Sequence, residues 1–343
     1  MTPSPSGTAM MPPIQYFRIT RFRRIAWWGS ALACLISLIG IGLSWLNPAI
    51  GAPLKPGLDF TGGTRIQIER ACEPNCSAVT VLHVSERLDS LKLPAEGDVA
   101  APGLRGAPVQ VLDQGRSIEL RLPSLSVAQG TALIDQLATS LGPFEDGGSS
   151  VDTIGPTLGD QLLRSSLLSL LVSFAAIAIY ITLRYDRIFA FLAIFCLAHD
   201  VLITTGVFAW LGLLRGIEVD SLFAVALITV AGYSVTDTVV VFDRIREQKA
   251  SLGSLPFSDQ VDVAVDATLT RSLYTSLTTL LPLLGILFFG GSSLFWFSVA
   301  LTVGISVGSW SSIGVAPTLL PLFSGKGFVG SAPSDGAAPA GAA

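Results

Sequence analysis

Gly232-Tyr233-Ser234-Val235-Thr236-Asp237-Thr238-Val239-Val240-Val241-Phe242-Asp243-Arg244-Ile245-Arg246 governs the reading of the whole chain. It closes an apolar run that begins near Ser221, so Asp237 falls inside a segment long enough to span a bilayer. A carboxylate at such depth costs roughly 2.5–3.5 kcal/mol even on the lenient insertion scale. Residues kept at that cost face a bundle interior or a water-filled path, and proton or ion relays are the common reason to keep one. Asp237 is therefore the first candidate for function.

Working outward, the composition suits a membrane setting. Half of the residues are hydrophobic and 13% are charged, with a mean hydropathy of +0.62, well above an ordinary soluble domain. Six runs approach the spanning length of about 20 residues. They cover 25–46, 162–183, 188–214, 221–242, 272–289 and 294–320, and predict a polytopic α-helical membrane protein with six transmembrane helices. Pro317 and Pro321 near the end of the last run predict an exit before 320. The first run exceeds a signal-peptide core and lacks a small-residue cleavage site, so it reads as an uncleaved helix.

Arginines set the orientation. Arg18, Arg21, Arg23 and Arg24 precede helix one, Arg184 and Arg187 lie between helices two and three, and Arg244, Arg246 and Lys249 follow helix four. The positive-inside rule makes those segments cytoplasmic. The N-terminal tail (1–24), the loop 243–271 and the C-terminal tail (321–343) then share that side; residues 2–13 and the C-terminal tail, above all 331–343, read as disordered from their Pro, Gly, Ala and Ser content. The weak net charge of −4 gives no support to nucleic-acid binding.

Residues 47–161 must then form a domain on the outer face. Ile66 and Ile68 alternate within a strand at 64–69, and Val81, Val84, Leu88 and Leu91 keep helical spacing across 77–91. Strands at 109–112 and 117–122 flank the turn residues Asp113-Gln114-Gly115. A second helix at 126–140 has Ser126 as its N-cap, and 149–154 is the closing strand. The order β-α-β-β-α-β predicts an α+β ferredoxin-like domain between helices one and two. Residues 103–108 read as an exposed loop before the hairpin. Of the four cysteines, Cys34 and Cys196 lie in membrane helices as small buried hydrophobes. Cys72 and Cys76 are a candidate disulfide in an oxidising compartment, because with His83 alone nearby a zinc site lacks its fourth ligand. No metal site and no cofactor are expected.

Enzyme signatures are scarce. Gly304-Ile305-Ser306-Val307-Gly308 formally matches a nucleophile elbow, but it sits inside a membrane run, where Gly304 and Gly308 read better as a small-residue packing face. An intramembrane Ser–His protease using His199 is the enzymatic alternative, and a non-enzymatic role is expected. The polar membrane set comprises His199 and Asp200 in helix three, Asp237 in helix four and Arg271 at the start of helix five. Thr275, Ser276, Thr278 and Thr279 follow as a hydroxyl-rich turn able to relay hydrogen bonds or hold water. Asp243 reads as a solvated charge at the membrane exit. Two readings of Asp237 and Arg271 stay open: a structural ion pair, or a proton-responsive pair, since burial and a nearby guanidinium act oppositely on an aspartate.

Ordered motifs then carry a resemblance along nearly the whole chain. They are Gly57-Leu58-Asp59-Phe60-Thr61-Gly62-Gly63, Gly155-Pro156-Thr157-Leu158-Gly159, Ala198-His199-Asp200, the stretch around Asp237, and Thr268-Leu269-Thr270-Arg271-Ser272-Leu273-Tyr274-Thr275-Ser276-Leu277-Thr278-Thr279-Leu280. In these the chain resembles the six-helix SecF side of the SecD/SecF protein-export family, related to the resistance–nodulation–division transporters. That family often carries Asn where Thr236 stands. The resemblance implies a bacterial inner-membrane protein with a periplasmic domain. It implies SecD, the SecYEG channel, YajC, a translocating preprotein and membrane lipids as partners. It also implies export driven by the proton-motive force after ATP-driven translocation. On it Asp237 carries the proton, Arg271 modulates it, and Thr275, Ser276, Thr278 and Thr279 complete the path. Asp59 and Phe60 belong to the motif, and Gly62 and Gly63 form either a joint to a moving domain or a simple β-turn. The competing function is a proton-driven small-molecule or lipid exporter of the same superfamily. A third is a passive assembly factor that needs no titrating residue.

Overall fold

The structure, a computed structural model, describes residues 16–71, 79–95, 102–112, 115–253 and 255–323. A 3-10 turn at Ile19–Phe22 leads into α1 (Arg23–Leu46), followed by α2 (Leu58–Thr61), β1 (Gly63–Arg70), α3 (Val81–Ser90), β2 (Val109–Leu112), β3 (Ser117–Leu122), α4 (Val127–Leu141) and β4 (Phe144–Ile154). Then come α5 (Pro156–Arg184), α6 (Arg187–Arg215), α7 (Ser221–Ser251), α8 (Phe257–Phe289), α9 (Gly291–Trp310), a π-helical turn (Ser311–Val315) and α10 (Ala316–Phe323). Six helical segments among the described residues are long and apolar enough to cross a membrane.

The chain divides into two compact units. The first takes in the chain up to Gly42, Val172–Trp210 and the chain from Ala226, and the second takes in Leu43–Leu171 and Leu211–Val225.

The second unit holds the expected βαββαβ domain. Its four strands pair antiparallel in the order β2-β3-β1-β4, as a ferredoxin-like sandwich requires. Alternation explains the layering. Ile66, Ile68, Ile118 and Leu120 leave one face of the sheet to pack with Val84 and Leu88 of α3 and Leu133 and Leu137 of α4. Polar residues alternate with them, and Arg65 reaches Asp152 across the β1–β4 pair at 3.1 Å. The strands at 109–112 and 117–122 begin and end where their alternation does. Ser126 caps α4, accepting from the Gln129 N–H while the Gln129 side chain accepts from the Ser126 N–H. Residues 103–108 are irregular, as expected of a loop, but not wholly exposed, because Leu104 enters the domain core. The Cys72–Cys76 staple, the turn residues Asp113 and Gln114, and the tail residues 1–15 and 324–343 lie outside the described residues.

In the first unit two boundaries differ from the sequence reading. The expected cytoplasmic loop at 243–271 is mostly helix, because α7 runs on to Ser251 and α8 begins at Phe257. The reason is burial: Val261, Ala264 and Val265 share one helical face and enter the core with Phe242 and Ile245. Asp262 beside them accepts hydrogen bonds from the backbone N–H and hydroxyl of Thr20, at 2.8 and 2.6 Å. Nor does the last helix stop before its prolines. It passes Pro317 by widening into the π-turn Ser311–Val315 and continues to Phe323. An α-helix would leave the carbonyl four residues before the proline without its donor, and in the wider turn the Ala316 N–H pairs back to the Ser311 carbonyl. Gly304 and Gly308 form the expected packing face. A Cβ on Gly304 would strike the Val230 side chain, and one on Gly308 would come within 3.2 Å of Ser234 Cβ.

Candidate functional site: buried carboxylates among serines

Asp237 lies midway along α7 and is only 6% exposed. Its carboxylate meets two hydroxyls. Ser272 Oγ of α8 donates to Oδ1 at 2.7 Å, and the Ser312 hydroxyl donates to Oδ2. Ser272 is placed by the register of α8, whose Thr268, Ser272 and Ser276 recur every fourth residue and are all buried. Ser312 is placed by the π-turn. Such turns concentrate at functional positions because they re-aim side chains that a regular helix would spread around its axis. The hydroxyls continue beyond Ser272. Ser276 Oγ donates to the Ser272 carbonyl, receives the Tyr233 hydroxyl at 2.8 Å, and meets Ser309.

A cleft of about 390 Å³ opens beside Asp237, lined by Gly232, Tyr233, Thr236, Arg271 and Thr275 among others. The anticipated partners divide here. Arg271 shares the cleft with Asp237, but among the described residues Asp237 makes no ion pair, so the geometry does not form the structural Asp237–Arg271 bridge. Thr275 lines the cleft with its hydroxyl turned to the Arg271 carbonyl. Ser276 joins the buried network. Thr278 and Thr279 do not: both are turned onto backbone carbonyls of their own helix, Thr278 to Tyr274 and Thr279 to Thr275. The serines that touch Asp237 were not singled out by sequence, because hydropathy alone does not reveal which hydroxyl on a neighbouring helix faces a given carboxylate.

His199 and Asp200 sit together on α6. Asp200 is fully buried, accepts from Ser234 and Ser311, and has His199 Nδ1 at 2.7 Å from Oδ1. Ser306, the serine of the elbow-like motif, donates to the Thr302 carbonyl instead of meeting His199. Asp243 binds the Tyr185 hydroxyl at 3.2 Å and Arg246 at 3.8 Å. Among the described residues no group of His, Cys, Asp and Glu could hold a metal ion.

The Asp59 motif occupies the second unit. The Asp59 carboxylate receives the Ser221 backbone N–H at 3.0 Å and the Ser221 hydroxyl, so it caps the N-terminus of α7. Asp220 supplies a second cap, accepting from the Phe223 N–H at 3.1 Å, and burial pushes its carboxyl up, with the Asp59 charge adding to the effect. Gly57 and Val219 are stitched by backbone, Gly57 N–H to Val219 O at 2.7 Å and Val219 N–H to Lys55 O at 2.9 Å. Glu218 is paired with both Lys55 and Arg121. Gly62 and Gly63 turn the chain from α2 into β1 at φ 71° and 129°. Gly62, with ψ 171°, occupies a region reserved for glycine, and a Cβ on Gly63 would lie 2.7 Å from the Leu122 carbonyl oxygen. Half-buried Phe60 presents its carbonyl to Gly159, where a Cβ would stand 3.2 Å away.

The family model for the protein export membrane protein SecD/SecF C-terminal region matches residues 136–326, and the SecD/SecF GG motif matches 50–72. The chain belongs to the SecD/SecF family. It falls on the SecF side. It is 51% identical over 89% of its length to the protein translocase subunit SecF of Prochlorococcus marinus, covering 95% of that protein. It is 42% identical to that of Synechocystis, with 87% of this chain and 91% of the relative covered. The crystal structure of SecDF from Thermus thermophilus superposes with a TM-score of 0.74 at 31% identity, over 92% of this chain. The chain spans 40% of the length of that SecDF chain.

Proposed function

We propose that the chain works with a SecD partner to draw preproteins out of the SecYEG channel, using the proton-motive force after ATP-driven translocation. YajC is the accessory partner in this reading. The protein sits in the bacterial inner membrane with both termini cytoplasmic and the ferredoxin-like domain periplasmic, as the arginine distribution argues. The observation that carries the reading is the setting of Asp237, a nearly buried carboxylate held by neutral hydroxyls and bordered by an open cleft. A structural aspartate in a bilayer would be neutralised by a cation. One held by serines can gain and lose a proton without breaking an ion pair. Arg271 in the same cleft modulates that exchange through its field. One charge crossing 100 mV releases about 2.3 kcal/mol, which is enough to bias a two-state motion of the outer domain. No bond-making chemistry is involved, so the chain is not an enzyme. The small-molecule exporter reading draws nothing from these observations, since the similar proteins are named as protein translocase subunits.

The test is Asp237→Asn in the full chain, reconstituted with its SecD-type partner and the channel. The gradient-dependent part of preprotein release should vanish while complex assembly and gradient-independent translocation persist. Arg271→Ala should weaken the same component. Undiminished gradient-dependent release by Asp237→Asn would overturn the reading.

A further inference from the structure

The first unit contains a second buried carboxylate that the proton path through Asp237 leaves unused. Asp200 has no exposed surface, and His199 is 5% exposed. Oδ1 of Asp200 lies 2.7 Å from His199 Nδ1, and Oδ2 accepts from Ser234 at 2.5 Å and Ser311 at 2.8 Å. The other imidazole nitrogen, His199 Nε2, is buried without a hydrogen-bond partner among the described residues. In either tautomer that atom carries an unmet N–H or lone pair, at a cost of about 1–3 kcal/mol.

Charge counting shows what this pair lacks. With Asp200 ionised and His199 neutral, the site holds one uncompensated negative charge inside the membrane, and one more proton makes it neutral. Among the described residues the side chains that contact it offer no other compensation. The α7 and π-turn neighbours are the hydroxyls of Ser234 and Ser311, and the thiols of Cys34 on α1 and Cys196 on α6 lie close enough to sense the Asp200 charge. Among the described residues the only ion-pair partner of Asp200 is His199. An unpaired buried charge is strongly disfavoured, so a proton is what completes the site.

The π-turn ties this site to the first. Ser311 and Ser312 are consecutive, and each hydroxyl lies within reach of two acceptors. Ser311 can donate to Asp200 Oδ2 at 2.8 Å or to the Gly308 carbonyl at 3.1 Å. Ser312 can donate to Asp237 Oδ2 or to the Ser309 carbonyl at 3.0 Å. One hydroxyl proton serves one acceptor fully, and an ionised carboxylate is the stronger one. When a carboxyl is protonated its own O–H needs an acceptor, so the serine turns back to its helix carbonyl and offers its oxygen. Each carboxylate therefore sets the state of one half of the same five-residue turn.

We propose that His199 and Asp200 form a second proton-binding site, coupled to Asp237 through the adjacent hydroxyls of Ser311 and Ser312. The inference deepens the reading of Asp237 as a proton carrier and rests on it. The two can be separated by pH-difference infrared spectroscopy of the carboxyl C=O band, on the full chain with its partner in lipid. Two buried carboxyls should titrate, one band being lost in Asp200→Asn and the other in Asp237→Asn. Each remaining midpoint should move by about one pH unit when the other group is replaced, the scale of an interacting pair, and Ser311→Ala with Ser312→Ala should abolish that movement. His199→Asn keeps a donor near the Nδ1 position but binds no proton, so it should shift the Asp200 band and leave the Asp237 band alone. It carries the test if Asp200→Asn does not fold. Should neither Asp200→Asn nor His199→Asn change any titrating band while Asp237→Asn does, the second site is overturned and the Asp237 reading stands. Midpoint movement that survives the double serine variant overturns the coupling. Should only the Asp200 band titrate, the Asp237 reading falls and the coupling with it.

Discussion

At the residue scale, the distribution of hydroxyls separates roles that the sequence runs together. Thr275, Ser276, Thr278 and Thr279 look alike in sequence, yet Ser276 alone of the four enters the buried network, while Ser272 one turn earlier touches Asp237 itself. A hydrogen bond to a charged group contributes about 1.5–3 kcal/mol, the equivalent of one to two pH units in proton affinity. Ser272→Ala should therefore lower gradient-driven export about tenfold, whereas Thr278→Ala with Thr279→Ala should leave it unchanged. Equal effects from both variants would mean that the network does not control Asp237. Asp237 and its need for polar company were legible because a carboxylate in an apolar run has few explanations. Ser312 was not, because its role depends on a local change of helix type. Asp220 gives a second test outside the membrane. Burial raises its carboxyl, so the folded state favours the protonated form. The stability this contributes is complete below the ordinary carboxylate range and is lost as pH rises through the raised value. Asp220→Asn keeps a capping side chain and removes the penalty, so it should raise the thermal midpoint near neutral pH and lose that advantage in acid. A gain that is the same at both pH values would reject the burial account.

At the element scale, sequence pattern and structure agree where one face of an element is buried and part where helices continue past their apolar runs. β2 and β3 could be bounded from alternation and α4 from Ser126 because those signals are local. The helical continuation across 243–251 and 257–271 could not, since it depends on Val261, Ala264 and Val265 finding a core that only the assembled helices provide. The Gly62-Gly63 joint is a related case. Two glycines suit a hinge or a turn equally, and the structure uses them where backbone passes close to backbone. Gly63→Ala should lower the stability of the outer domain by about 1–3 kcal/mol, the range for a strained backbone, read as a fall in its thermal midpoint within the full chain. An unchanged midpoint would show a turn that yields, and would favour the hinge. At the other end of the connection, the Asp59 cap makes the GG-motif segment part of the start of α7, the helix that carries Asp237 further along.

At the scale of the whole molecule, the membrane helices are unequally covered. About half of the apolar window is buried in α6, in α7 and in the segment through α9 and α10, at 50%, 56% and 56%, against 22% for α1, 6% for α5 and 17% for α8. The Thermus SecDF relative places a matching region within a chain of which this protein covers 40%, and on the proposed pairing with a SecD-type chain that partner covers part of those faces. The rest must meet lipid. Along α5, Leu167, Leu168, Leu171, Val172, Ile179, Tyr180 and Leu183 are all exposed, and they form one broad arc opposite the face on which Phe174, Ile177 and Ile181 pack inward. Packing against a partner helix selects a single face with a repeat of three to four residues. A photoreactive side chain placed at each of these positions in turn should therefore cross-link to the SecD-type partner along one such stripe of α1, α5 or α8, and to lipid elsewhere. Cross-links to the partner at every position would indicate a helix enclosed on all sides. If no position on any of the three helices captures the partner, these faces belong to lipid alone, and the two chains must be joined through their outer domains.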